Sequence, residues 1–341
     1  MFDSLGQSQT TNSSTDPLRF RDAPLTLQEL AAKEFEPLEG AFCDFVFTPQ
    51  SVATVIGDFG IGKTWFGNWL AWAIATGNQF GHLQTRKRPI LYVSQEMSAR
   101  EMHFRTSQMF STPQLQAAGN DFHLDFGGPI KVNEPGGLEI LKALAERYAK
   151  GGGIFVDSLR DIHSSNENDN NEMSNVLRPL RDEIAKPLDC FIVLQHHTSK
   201  PSEFRKGAHR GRGAIVIMDV CADVLLISRD GDTRTVTFEK TRHGQTPEPF
   251  TYTITEDDQR HVTLEIGAAE AQDEELGQVK KLTEWLRSQE LPVDKEQIQR
   301  QFSWSLATAK RHIHDGISVG LIARHGGGHG RGNRATYEAV G

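Results

Sequence analysis

The chain contains the stretch Gly57-Asp58-Phe59-Gly60-Ile61-Gly62-Lys63-Thr64, which matches the phosphate-binding pattern G-x-x-x-x-G-K-[ST]. An apolar run precedes it and a helical pattern follows it, as this strand–loop–helix motif requires. Gly57, Gly60 and Gly62 allow backbone N–H groups to turn toward phosphates. Lys63 can reach the β- and γ-phosphates, and the Thr64 hydroxyl can coordinate Mg²⁺. The motif predicts a chain that binds ATP with Mg²⁺.

Length and composition limit the class of protein. The chain has 341 residues, which predicts about two domains, and 37% hydrophobic residues, which is enough for a core. A net charge of −8 argues against a uniformly basic surface, so any nucleic-acid binding must come from local clusters. No stretch approaches a membrane-spanning length and the first residues lack leader features, which predicts a cytoplasmic protein without a membrane partner. The three cysteines are widely spaced, which predicts buried free thiols.

The pattern of the chain divides it into four segments. Residues 1–24 are rich in Ser, Thr, Gln and Asn and predict a disordered tail. In residues 25–266, strand-like runs alternate with helical patterns, which predicts an α/β domain with a parallel sheet covered on both faces. The last four strand-like runs of that segment lack intervening helices and predict an antiparallel extension. Residues 267–275 are small and acidic and predict a linker to a second domain over 276–341.

Two carboxylates are predicted at one edge of the sheet. Gly153-Ile-Phe-Val-Asp157 is an apolar run ending in an acid, an arrangement that holds the Mg²⁺ shell. Ser158 follows it instead of Glu, which counts against the AAA+ class and requires the water-activating base to come from elsewhere. Glu96 ends the run 90–95 and is predicted as that base. The alternative for Glu96 is an acid that merely opens a helix.

These motifs resemble a known group. Glu96-Met97-Ser98 followed by Arg105 resembles DnaB-type replicative helicases, and residues 155–160 and 192–200 resemble the plasmid RepA hexameric helicases. The span from about 40 to 266 is similar in motif order to this RecA-like group, which implies a RecA-like core. In that group the residue at the position of His196 senses the γ-phosphate and transmits its presence to the DNA-binding loops. A purely structural histidine is the alternative.

Two segments resemble arginine-finger regions. Arg212 lies in a run, 211–219, that resembles the RepA segment with a finger. Lys240-Thr-Arg242 resembles the K-x-R finger of DnaB- and KaiC-like ATPases. Because a neighbouring subunit supplies such a finger, the resemblance implies a homo-oligomer, expected to be a hexameric ring. The sequence leaves open which of Arg212 and Arg242 is the finger, and an ordinary solvated strand end is the alternative for 240–242.

Two loops are candidates for a central channel. Residues 201–213 combine Gly and Ser with Arg205, Lys206 and Arg210, a composition suited to single-stranded DNA. Residues 164–174 are instead acidic, unlike the basic pore loops of ring helicases. This second loop puts strand translocation in doubt.

Residues 276–341 predict a small winged helix-turn-helix domain for duplex DNA. The predicted recognition helix, 305–314, includes Thr308, Lys310, Arg311 and His314, which can face a groove. Arg324, Arg331 and Arg334 can contact flanking phosphates. The alternative is a winged helix that serves only for protein docking.

Three functions are therefore candidates. The first is a ring-forming, DNA-dependent ATPase of RepA type, a replicative helicase or translocase of a plasmid, phage or mobile element. The second is a regulatory DNA-binding ATPase whose ATP cycle controls assembly without unwinding. The third, a metabolic kinase, is disfavoured because no acceptor pocket is evident and because two finger candidates are present.

Overall fold

A computed structural model describes residues 24–197, 212–269, 273–289, 291–302, 304–318, 320–326 and 335–340. The chain divides into two compact units at the boundary between Leu38 and Glu39. In the first unit, helix α1 (Leu27–Ala31) begins with a capping box formed by Thr26 and Glu29. Nearly all of the predicted tail, 1–24, lies outside the described residues.

The second unit contains a nine-stranded sheet of order β3-β2-β4-β5-β1-β6-β7-β8-β9. The strands from β3 to β6 in this order pair in parallel, and those from β6 to β9 pair antiparallel. The predicted α/β class, with a mainly parallel sheet and an antiparallel extension, is confirmed. The strands are β1 (Ser51–Gly57), β2 (Ile90–Ser94), β3 (Phe122–Asp125), β4 (Gly153–Asp157), β5 (Phe191–His197), β6 (Asp223–Asp230), β7 (Thr233–Thr241), β8 (Phe250–Glu256) and β9 (Val262–Ala268).

The structure corrects two details of the predicted sheet. Strand β3 is absent from the sequence-based assignment, and β6 pairs in parallel with β1 as well as antiparallel with β7. β6 therefore belongs to the antiparallel extension as predicted, and its additional parallel pairing with β1 was not predicted. A helix before β6, residues 212–220, makes the crossover that a parallel connection needs.

Helices cover both faces of the sheet. The middle strands are apolar throughout because alternate residues are buried in two separate cores. In β1, Ala53 and Val55 belong to one core, and Val52 and Ile56 to the other. The helices are α2 (Lys63–Thr76), α3 (Ala99–Met109), α4 (Thr112–Ala118), α5 (Gly137–Tyr148), α6 (Asn170–Pro179), which continues as a π-helical turn (Leu180–Ala185), and α7 (Arg212–Val220).

The C-terminal segment forms a separate three-stranded antiparallel sheet of order β10-β12-β11. Its helices bury their own apolar cluster, which includes Leu282, Ile298, Ile313 and Ile322. Strand β9 runs to Ala268 and the next helix begins at Asp273, so the connection is shorter than the predicted linker 267–275. The elements are α8 (Asp273–Arg287), β10 (Val293–Asp294), α9 (Lys295–Phe302), α10 (Leu306–Ser318), β11 (Ile322–His325) and β12 (Thr336–Ala339).

Two further observations concern the membrane and the cysteines. In the part of the chain that the structure describes, no helix is both long and apolar enough to cross a bilayer. Cys43, Cys190 and Cys221 are free, as predicted, and Cys43 is only partly buried. Burial raises the pKa of each thiol to about 12.

Asp223 is a fully buried acid at the start of β6. Its Oδ2 accepts a hydrogen bond from the backbone N–H of Phe47 at 2.9 Å. Burial raises its pKa from 3.8 to about 6, although the nearby Lys240 and Arg242 oppose the shift. Between these two pH values the native state binds more protons than the unfolded chain, so the free energy of unfolding falls as pH rises.

Asp223→Asn is expected to remove this pH dependence. From pH 4 to pH 6 the wild type should lose about 2 kcal/mol of unfolding free energy relative to the variant, because one pKa unit corresponds to about 1.4 kcal/mol and the carboxyl is already partly titrated at both ends of this range. Urea unfolding at a series of pH values measures the difference. The exposed Asp230→Asn serves as the control, and parallel pH profiles for wild type and Asp223→Asn would contradict the interpretation.

Candidate nucleotide site

The phosphate loop connects the end of β1 to the start of α2. Gly60 and Gly62 have φ of 72° and 100°, the left-handed region that glycine tolerates best. A Cβ atom on Gly62 would also lie 2.7 Å from Ile254 Cδ1, so a side chain at this position would have to displace the end of Ile254. Because α2 begins at Lys63, its free N–H groups lie at the end of the loop. The loop is therefore built as an anion site.

Lys63 is buried at the base of the loop, with 4% exposure. Its Nζ donates hydrogen bonds to the carbonyl oxygens of Gly57 at 2.7 Å and Asp58 at 3.0 Å. Burial lowers its pKa to about 8, while Asp157 and Glu96 act in the opposite direction. A phosphate would supply the counter-charge that this buried ammonium needs.

His197 bridges Lys63 to Glu96. Its Nδ1 lies 2.9 Å from Lys63 Nζ, and its Nε2 lies 3.0 Å from Glu96 Oε1. An ammonium only donates, so Nδ1 accepts and Nε2 carries the proton that it donates to Glu96. This hydrogen bond is the main reason that the pKa of Glu96 is lowered, and Ser158 contributes a second one. Glu96 is therefore ionised at neutral pH, as a general base must be.

Asp157 ends β4, beside the ends of β2 and β5. It is in register with Ser94 on one side and Gln195 on the other. The Tyr92 hydroxyl donates to Asp157 Oδ2 at 3.0 Å, and Gln195 Nε2 donates to the Tyr92 oxygen at 2.8 Å. Burial raises the pKa of Asp157, and the charge of Glu96 raises it further. A cation at this carboxylate would reverse that shift.

The oxygen donors of the site fit Mg²⁺. The Thr64 side chain lowers the pKa of Asp157 against the effect of burial, so the hydroxyl lies near the carboxylate where the loop meets β4. Mg²⁺ typically takes one or two protein oxygens and completes its shell with phosphates and water. Among the described residues no group of three or more His, Cys, Asp or Glu side chains can hold a metal. The Thr64 hydroxyl and the Asp157 carboxylate are therefore consistent with a Mg²⁺ ion that binds together with the nucleotide.

The structure places His196 away from Lys63 and Glu96. Successive strand residues point to opposite faces, so only one of the two histidines can face the phosphate loop. His196 is 9% exposed, and within the described part of the chain its Nδ1 has no hydrogen-bond partner. Burial lowers its pKa to about 4, opposed by Glu167. The histidine in contact with the nucleotide site is His197, which the sequence pattern did not single out.

Lys240 and Arg242, the predicted K-x-R finger, contact the end of α7 in their own chain. Lys240 Nζ donates to the carbonyl oxygens of Met218 at 2.5 Å and Cys221 at 2.7 Å. Arg242 Nη2 donates to the Asp219 carbonyl oxygen at 3.0 Å. Both cations therefore satisfy carbonyl groups at a helix C-terminus. Arg212 begins the same helix, and the structure does not describe its side chain.

Two other arginines lie near the phosphate loop. Arg234 on β7 is 8% exposed, and its Nε donates to the Ile61 carbonyl oxygen at 3.3 Å. The Arg105 guanidinium lies 4.8 Å from the centroid of the Trp65 ring. Trp65 directly follows Thr64, the last residue of the phosphate loop. Arg234 had no recognisable signal in the sequence, whereas Arg105 was part of the helicase resemblance.

The predicted DNA-binding residues are only partly described. Arg205, Lys206, Arg210, Arg331 and Arg334 lie outside the described residues. Lys310 on α10 and Arg324 on β11 are exposed. Arg311 lies on α10, and the structure does not describe its side chain.

A family model described as an AAA domain matches residues 14–203, more than half of the chain. The chain belongs to this family. The comparison with curated proteins finds no match. Together with the phosphate loop, Glu96 and Asp157, the family defines a nucleotide-hydrolysing P-loop ATPase. The match does not support the expectation, drawn from Ser158, that the chain lies outside the AAA class. The candidate general base, Glu96, still follows β2 and not β4, which ends in Asp157.

Proposed function

We propose that the chain is a ring-forming, DNA-dependent ATPase, a helicase or translocase of RepA type from a plasmid, phage or mobile element. The observation that carries the proposal is the contact of His197 with both Lys63 and Glu96. His197 ends β5, and the basic segment that contains Arg205, Lys206 and Arg210 follows it in the sequence. A change at the phosphates therefore acts directly on the chain that enters the predicted DNA loop.

The other end of that segment supports the same proposal. It joins α7, whose C-terminal carbonyl groups are bound by Lys240 and Arg242. If a neighbour's nucleotide attracts these cations, they must leave the helix end. Both ends of the basic segment would then respond to nucleotide. The end at His197 would respond to the chain's own nucleotide, and the end at α7 would respond to a neighbour's nucleotide.

In the proposed reaction each residue has one task. Lys63 donates to the phosphates, and Thr64 and Asp157 hold the metal. Mg²⁺, when bound, neutralises charge on the transferred phosphoryl group. Glu96 orients the attacking water and accepts its proton, while His197 holds the Glu96 carboxylate in place.

A mixing experiment tests the proposed ring. Lys63→Ala and Arg242→Ala are each expected to be inactive alone, and their mixture is expected to regain part of the ATPase activity. Some interfaces would pair an intact phosphate loop with an intact finger. Arg178→Ala is the matched control, because Arg178 also contacts Asp219 but is not a finger candidate. A chain that stays monomeric with full ATPase activity would rule the ring out.

A second candidate, the regulatory ATPase without unwinding, is favoured by the acidic segment 164–174. Asp169 accepts from the backbone N–H groups of Asn171 and Glu172 and caps α6, and Glu172 accepts from the Asn166 N–H. These carboxylates are thus fixed by the structure of the segment itself. A fixed acidic surface is poorly suited to tracking a phosphate backbone.

One experiment separates the two candidates. ATP turnover is measured with and without single-stranded DNA, and forked-duplex unwinding is measured in parallel. The proposed helicase is expected to show stimulated turnover and ATP-dependent strand separation. Turnover without strand separation would favour the regulatory ATPase, and turnover indifferent to single-stranded DNA would contradict the proposed DNA-dependent helicase.

The C-terminal module, residues 276–341, is proposed to bind duplex DNA as a winged helix whether or not ATP is present. Replacing both Lys310 and Arg324 with alanine is expected to weaken duplex binding and to reduce its salt dependence by about two charges, while basal ATPase stays unchanged. Fluorescence anisotropy at several salt concentrations measures this. Unchanged duplex affinity would leave the module a role in protein docking.

A further inference from the structure

The C-terminal module contains a concavity of about 580 Å³. It lies between one face of α10 and the strands β11 and β12. Lys310, Ile313, His314 and Ile317 are spaced i, i+3, i+4 and i+7, so they share one face of α10. Arg324 on β11 and Tyr337 on β12 are direct neighbours in the strand register. The volume falls within the range of about 300–1,000 Å³ that small-molecule sites occupy. Its lining includes Lys310, Ile313, Ile317, Arg324, Tyr337 and Lys295.

The inner part of this lining is apolar. Ile313 is 4% exposed and belongs to the core of the module, and Tyr337 packs against the same core. Ile317, one helical turn further along α10, keeps 36% of its surface exposed. Ile317 and Tyr337 therefore leave apolar surface facing the concavity, beside the small part that Ile313 exposes. A purely ionic ligand would leave it uncovered.

The rest of the lining is mainly polar, with the cations Lys295, Lys310 and Arg324 beside His314 and Glu296. Arg324 lies two residues after the buried Ile322, so it projects from the core side of β11. On the opposite side, His325 pairs with Glu338 at 2.7 Å. The one carboxylate of the lining, Glu296, lies 3.9 Å from Lys295. Within the described part of the chain, Lys310 and Arg324 have no carboxylate partner.

We propose that this concavity binds a small organic anion with a flat apolar body and one acidic group, a carboxylate, sulfonate or phosphate. The flat body would cover Ile313, Ile317 and Tyr337, and the acidic group would bind Lys310 and Arg324. The site does not depend on the proposed helicase activity. One consequence rests on the proposed duplex binding: an occupied site would neutralise two cations that DNA would otherwise contact.

The test uses the full chain and the fluorescent probe 8-anilinonaphthalene-1-sulfonate. Wild type is expected to bind it at one saturable site. Replacing Lys310 and Arg324 together with alanine should weaken binding by tenfold or more, and Ile317→Ser should weaken it several-fold. Lys142→Ala, an exposed lysine on α5, is the charge control and should bind as wild type does. Equal thermal unfolding temperatures confirm that the variants are folded.

Competition completes the test. 1-Naphthoate is expected to displace the probe, whereas inorganic phosphate at the same concentration is not. Equal displacement by phosphate, or wild-type affinity in both the double variant and Ile317→Ser, would overturn the proposal. Duplex binding by Ile317→Ser is expected to be unchanged, so the outcome for this site is distinguishable from that for DNA binding.

Discussion

Lys63→Ala is expected to abolish ATP binding or turnover. In the structure this ammonium is buried against the Gly57 and Asp58 carbonyl oxygens, inside the loop that would surround the phosphates. Alanine would leave the β- and γ-phosphate charge without a partner in a site with little water. Direct binding of a fluorescent ATP analogue and steady-state phosphate release measure the two losses separately.

The same substitution should not unfold the protein. Burial already lowers the pKa of Lys63 to about 8, which means that the folded environment disfavours the charged form. Removing the charge therefore relieves a cost while losing the two carbonyl hydrogen bonds and the one to His197 Nδ1. Lys87→Ala is the matched control, because Lys87 pairs with Asp121 on the surface and precedes β2 at the opposite edge of the sheet. Tight ATP binding with normal hydrolysis by Lys63→Ala would contradict the assigned site.

The central fold could be predicted because each parallel strand is buried on both faces. β1, β2, β4 and β5 are therefore nearly continuous apolar runs that stand out from the helical patterns between them. β3 could not be predicted in this way. It is a four-residue edge strand, Phe122–Asp125, without a fully buried residue, so its sequence shows no apolar run. The parallel pairing of β6 was missed because helix α7 before it was not assigned.

The candidate site was predictable in its parts but not in its connections. Lys63, Glu96 and Asp157 follow from local patterns, since Lys63 begins α2, Asp157 ends β4 and Glu96 closely follows the end of β2 at the same sheet edge. The choice between His196 and His197 depends on which face of β5 each occupies, and a histidine pair in sequence does not give that. The Gln195–Tyr92–Asp157 hydrogen bonds join three neighbouring strands. They depend on the register of those strands, which the local sequence patterns do not give.

Lys240 and Arg242 show a different limit. The resemblance assigns them to a neighbour's nucleotide, whereas the structure gives both a capping role within their own chain. The two roles need not conflict, because a cation can occupy either position in turn. If both roles hold, assembly competes with the cap at the end of α7, and finger variants would affect that helix as well as hydrolysis.

Glu96→Gln is expected to lower ATP turnover by about 10²-fold or more while ATP affinity is kept. Glutamine has nearly the same shape, and its amide oxygen can still accept the hydrogen bond from His197 Nε2. It cannot take a proton from the attacking water, so the loss falls on the chemical step and not on binding. Single-turnover hydrolysis and equilibrium ATP binding measure the two quantities.

Two further variants make the assignment of Glu96 specific. Glu146→Gln removes an exposed acid from α5 and should hydrolyse ATP as wild type does. His197→Ala leaves the Glu96 carboxylate in place but removes the group that orients it, so its turnover should lie between wild type and Glu96→Gln. If Glu96→Gln hydrolyses ATP normally, the base lies elsewhere. In the described structure His197 contacts both Lys63 and Glu96. If only His197→Ala is impaired, turnover therefore depends on the contact of His197 with Lys63 and not on its contact with Glu96.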